Sequence, residues 1–149
     1  MNLKECMEPH KLEKYSFMWS QARLFIAALA LFIGGYPPIL KITPIFLLGL
    51  VGFLLLIAWI ISGVASAYLL YRFIKNNKMI FGGKDKMDLV AFFVSVVSGF
   101  NLGITGIVGI NIGMSISSNY FLFVIVGILY IVSALHLMKR WKAFGEKVF

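Results

Sequence analysis

ITPIFLLGLVGFLLLIAWIISGVASAYLLY, residues 42–71, contains no Asp, Glu, Lys or Arg. A second stretch, residues 89–138, is equally free of them. One crossing of a bilayer core of about 30 Å needs roughly 20 apolar residues in a helix. The two stretches therefore hold three spans, and the apolar segment before Lys41 holds a fourth. Charged residues are 13% of the chain, about half the share of ordinary soluble domains, which is ~25%. Mean hydropathy is +0.91. The expected fold is an all-α, integral membrane four-transmembrane-helix bundle.

Working outward from residues 42–71, punctuation sets the spans. Two glycines and two prolines in GGYPP, residues 34–38, end a first span over 17–35, since proline lacks the N–H a helix needs. Thr43 as N-cap and Pro44 at the first helical position open the second, 44–74. At ~1.5 Å per residue it measures about 46 Å, longer than the core, so tilt or an extension beyond the bilayer follows. Asn76 and Asn77 stop it, and MIFGG, residues 79–83, reads as a small apolar loop at the membrane interface. Asp85 and Asp88 suit the N-terminus of the third span, 86–112. Ser117 or Ser118 caps the fourth, 119–138. Residues 1–16 form a polar N-terminal tail and residues 139–149 a basic C-terminal one. PIFLLGLVGFLLLIAW (44–59) and NYFLFVIVGILYIVSA (119–134) align Gly52 with Gly127. Two duplicated helical hairpins are one reading of this, although few aligned positions are identical.

Orientation follows from the distribution of cations. Of 14 Lys and Arg residues, only Lys41 falls in the loops after the first and third spans. The rest flank the N-terminus, the central loop and the C-terminus. The positive-inside rule then places both termini in the cytoplasm of a multi-pass cell-membrane protein. The net charge of +8 comes from these flanks, so it marks anionic membrane lipids as partners and not nucleic acid. The single cysteine, Cys6, excludes an internal disulfide. Some 23 residues precede the apolar run at Leu24, too long for the n-region of a cleaved signal peptide.

SGFNLGITGIVGINIGMSIS, residues 98–117, carries five glycines and two asparagines. At about 100° per residue, Gly99, Gly106, Gly109 and Gly113 share a stripe with Asp88 and Ser95. Phe93, Val97, Phe100, Ile104 and Ile107 gather on the far face. Gly49, Gly63 and Ala67 form a matching stripe on the second span. Small residues let helices approach closely in lipid, so these glycines are expected to pack spans two and three together. Asn101, near the middle of span three, needs a hydrogen-bond partner there. With Ser98 and Thr105 it forms a candidate polar cavity.

Ionisable chemistry near the membrane is sparse. Arg23 should carry its guanidinium toward the headgroups. Arg23 or Arg72 with Asp88 makes a candidate interfacial ion pair. Glu5, Cys6, Glu8 and His10 match no zinc spacing, and no Ser/His/Asp or Cys/His nucleophile arrangement is visible. No catalytic residue, metal ligand or cofactor site is assigned. An acid at mid-span, the usual mark of proton or cation coupling, is also missing. The sequence favours a non-catalytic accessory or scaffold subunit of a larger membrane complex, with other membrane subunits or further copies of itself as partners. The alternative is an oligomeric channel or carrier for a small neutral or lipidic molecule.

Overall fold

A computed structural model describes residues 9–149; Glu5, Cys6 and Glu8 lie outside the described residues. The described chain is all-α. Its long helices are α1 (Pro9–Phe32), α3 (Leu48–Lys75), α4 (Lys86–Val108) and α6 (Tyr120–Ala143). Two short helices sit in the connections, α2 (Pro38–Ile42) and α5 (Ile112–Ile116), and a 3-10 turn, Ile45–Leu47, leads into α3. Four helices are long and apolar enough to cross a membrane, as a multi-pass membrane protein requires. α3 packs along α4, α4 along α6, α6 along α1 and α1 along α3, giving a closed up-and-down ring.

The helix ends differ from the expected ones for local reasons. α1 begins at Pro9, so the described part of the expected tail, residues 9–16, is helical. Thr43 does not cap α3; it follows the end of α2, its hydroxyl donating back to the Ile39 carbonyl. Asp85 does cap α4, its carboxylate accepting from the N–H groups of Met87 and Asp88. α4 ends at Val108 because Gly109 turns left-handed at φ +77°, a conformation glycine adopts freely. Gly109 therefore serves as a helix stop and not as a packing residue. Asn119, rather than Ser117 or Ser118, caps α6, accepting from Phe121 N–H. α6 runs on to Ala143, taking in part of the expected C-terminal tail.

The bundle is solid at one end and hollow at the other. At the basic end, Phe17, Phe73, Phe81, Phe92, Trp141 and Val148 belong to one buried apolar cluster. The loop MIFGG is part of it: Ile80 and Phe81 are buried, not laid on an interface. Phe81 N–H donates to the Val148 carbonyl at 2.8 Å, tying the central loop to the C-terminal segment. Glu13 on α1 accepts from the N–H groups of Val148 and Phe149 and pairs with Arg72 at 2.8 Å. Lys14 pairs with Glu146. The start of α1, the central loop and the chain's last residues thus meet at one end of the ring, the arrangement the charge distribution requires.

The closest helix approach is between α3 and α4. A Cβ built on Gly63 would lie 2.8 Å from Gly103 Cα, and one on Gly103 would lie 2.7 Å from Gly63 Cα. A Cβ on Gly106 would lie 3.1 Å from the Leu56 carbonyl oxygen. Gly49 and Gly52, by contrast, have nothing within 4 Å, so their part of the stripe faces away from the bundle. The proposed repeat has no parallel at this level, since Gly127, the match of Gly52, abuts the Phe32 ring.

These contacts set a paired expectation. Gly103→Leu should cost about 3 kcal/mol or more, the upper end of overpacking, because the obstacle is backbone. Gly49→Leu should cost nothing. Thermal midpoints in mild detergent, read by size-exclusion chromatography after heating, check both.

Candidate functional site

The hollow half of the bundle holds a half-open cavity of about 570 Å3, within the roughly 300–1,000 Å3 of small-molecule sites. All four long helices line it, and residues of the two short-helix connections, among them Pro38 and Met114, close its far end. Along α1 it follows Trp19 to Leu31, about 18 Å at ~1.5 Å per residue. That is close to one leaflet of a bilayer whose core is about 30 Å thick. The walls are mostly aliphatic, with Ile26, Leu55, Leu102 and Val126 among them.

Polar groups occupy both ends of the cavity. At the far end Asn101 Nδ2 donates to Asn111 Oδ1 at 2.9 Å, and Gly113 N–H donates to Asn101 Oδ1 at 3.3 Å. Thr105 donates to the Asn101 carbonyl at 2.8 Å. The mid-span amide is thus satisfied by the α4–α6 connection and pins α5 against α4. Ser98, Asn101 and Thr105 do line one cavity, together with Asn111. Gly113 sits beside the two asparagines, 3.5 Å from Asn111 Oδ1 by its built Cβ, and packs against no α3 residue. Trp19 lines the cavity and donates to Ser62 Oγ at 3.0 Å.

Arg23 lies at the inner end. It does not reach for headgroups: it is 5% exposed and lines the cavity. Its Nη2 donates to the Ser95 carbonyl at 2.7 Å and lies 3.3 Å from Ser95 Oγ. Gly99 makes room for it, since a Cβ there would collide with Arg23 Nη1 and Ser66 Oγ. Gly99 therefore separates α3 from α4 less than it accommodates a side chain of α1. Burial has a further consequence. The Nε and Nη1 donors of Arg23 have no hydrogen-bond partner, and neither has the Ser66 hydroxyl. A charge at mid-bilayer costs about 2.5–3.5 kcal/mol on insertion scales, and such groups ordinarily find partners.

The expected ion pair of Arg23 or Arg72 with Asp88 does not form. Asp88 is 1% exposed and faces α6, where Arg140 Nη2 approaches Oδ2 at 2.9 Å and His136 Nε2 approaches Oδ1 at 2.7 Å. His136 and Arg140 are four residues apart, so they share one face of α6. That spacing was the available signal; it became informative only once α6 extended past Met138. Arg72 goes to Glu13 instead, because α1 begins early enough to bring Glu13 beside the end of α3.

Substituting Asp88→Asn should destabilise the protein by about 1.5–3 kcal/mol, the worth of hydrogen bonds to a charged group. The loss is limited because Arg140, 42% exposed on its side chain, rehydrates. Combining Asp88→Asn with Arg140→Ala should cost less than the sum of the two single changes, a coupling that thermal melts of the four proteins measure.

Compared with protein-family models, curated proteins and solved structures, the chain matches none, so the reading of this cavity rests on its own geometry.

Proposed function

We propose that this protein is a membrane-embedded binding protein or carrier for a small lipidic molecule, held in the cavity between its four helices. The observation that carries the reading is the cavity itself: about 570 Å3, walled mostly by apolar side chains, with a small set of polar groups among them. Such a shape suits a molecule with one apolar chain. The low-polarity wall supplies affinity through buried area, and the ends supply orientation. No catalytic step is part of this reading. The basic end is proposed to face the cytoplasm of a cell-membrane protein.

A second reading, a subunit of a larger membrane assembly or of a homo-oligomer, is favoured by α3. The span Ile45–Lys75 has only 6% of its most apolar window buried, and Gly49 and Gly52 are open on its surface. A stoichiometric partner retained in mild detergent is the result this reading requires.

Two measurements test the proposals. Ala30 lines the cavity, and Ala30→Phe should fill it. Protein in nanodiscs, analysed by native mass spectrometry, should retain an added fatty alcohol about tenfold less well after this change, a difference of ~1.4 kcal/mol. Equal retention would remove the cavity from the function. For orientation, Cys6 should react with a membrane-impermeant maleimide only after cells are permeabilised. Lys41→Cys, made with Cys6→Ser, should react in intact cells.

A further inference from the structure

Resting on the cavity reading above, we infer that the ligand is a single-chain anionic amphiphile whose headgroup docks on Arg23. The first support is the guanidinium itself. It has five N–H donors, and the described residues satisfy it only through Nη2, at Ser95. Nε and Nη1 are buried without a partner, Nη1 beside Ser66 and Gly99, and Arg23 lines the cavity's inner end.

The second support is that the described residues place no acidic side chain beside Arg23. Among them there are four acidic side chains, and each is engaged elsewhere. Glu13 holds Arg72 and the last backbone N–H groups. Asp85 caps α4. Asp88 binds His136 and Arg140. Glu146 pairs with Lys14. A guanidinium buried without an anion is costly, and an oxyanion from outside the chain removes that cost through charge-assisted hydrogen bonds.

The third support is what surrounds the charge. A small hydrated anion would leave the aliphatic walls unused. An oxyanion on a hydrocarbon chain uses both, head at Arg23 and tail along Ile26, Leu55 and Leu102 toward the far end. Ser98 and Tyr130 line the same cavity and offer hydroxyls to a head, whereas the Ser62 hydroxyl is already used, donating to the Ala58 carbonyl and accepting from Trp19. Gly99 belongs to the site too, because only a residue without a Cβ leaves the guanidinium its place. Carboxylate and phosphate heads share this chemistry, and the experiment separates them.

The experiment uses full-length protein in nanodiscs of zwitterionic lipid. Radiolabelled palmitate is the probe; cetyl alcohol, methyl palmitate, hexadecyl phosphate and inorganic phosphate are the competitors. Palmitate should bind the wild-type protein about ten- to hundredfold more tightly than the alcohol or the ester, the worth of one charge-assisted contact. Arg23→Gln should erase that preference while leaving alcohol binding intact, and Arg23→Lys should keep part of it. Stronger competition by hexadecyl phosphate than by palmitate assigns a phosphate head; the reverse assigns a carboxylate. If alcohol and acid bind equally to wild type, the headgroup inference falls and the cavity reading stands. If inorganic phosphate displaces palmitate as well as the amphiphiles do, the site is one for a small anion and the inference also falls. Absence of binding by every amphiphile overturns both. Should Arg23→Gln fail to fold, the acid-against-ester comparison on wild type still decides.

Discussion

The contact between Gly63 and Gly103 governs much of the rest. Backbone meets backbone there, with a distance that admits no Cβ on either side. In lipid there is no hydrophobic drive to press helices together, so close packing of this kind substitutes for it. Once α3 and α4 are fixed at that point, Gly106 seats against α3 on one side of the contact. On the other side Gly99 faces Ser66 and the arriving Arg23. The same row of small residues thus joins two helices and opens a slot for a charged side chain of a third.

Two halves of differing character follow. The basic end is filled by aromatic rings, Phe73 on Phe92 with centroids 5.1 Å apart and Phe17 on Trp141 at 5.5 Å. It is also laced by ion pairs that close on Glu13 and Asp88. Short side chains share the cavity wall with a few rings: Ala22, Ala27, Ala30 and Ala58 border it beside Trp59, Phe123 and Tyr130. Volume is left open there where the side chains of the wall are short, and residues of the connections containing α2 and α5 line it as well. Arg23 marks the boundary between the two halves. A polar group at that boundary sits where burial is deepest and a ligand's head could be held most firmly, since low polarity strengthens each hydrogen bond.

How much of this was legible from the residues differs element by element. The four spans were, because the absence of charge over 42–71 and 89–138 admits no other compact solution. The α3–α4 contact is partly so: Gly63 lies on one stripe and Gly99 and Gly106 on the other, but Gly103, the actual mate of Gly63, lies off both. Gly49 carries the same signature yet touches nothing. A stripe specifies what a helix offers and does not say which stretch of it meets a neighbour. Ser98, Asn101 and Thr105 were legible as a polar flank; Asn111, the partner of Asn101, was not, since it lies past a helix stop whose turn brings it back.

Taken alone, the sequence determined class, number of spans and the gathering of the chain's cations at one end, because hydropathy and charge act residue by residue and need no partner. Tertiary structure decided the pairing of charges and the existence of the cavity. Arg23 was assigned to the headgroups and Asp88 to an arginine of α1 or α3, on the distances available along single helices. The ring order of the helices turns Asp88 toward α6 and Arg23 inward. An ion pair depends on which faces meet, and a cavity on what several helices together fail to fill; neither is a property of any one segment.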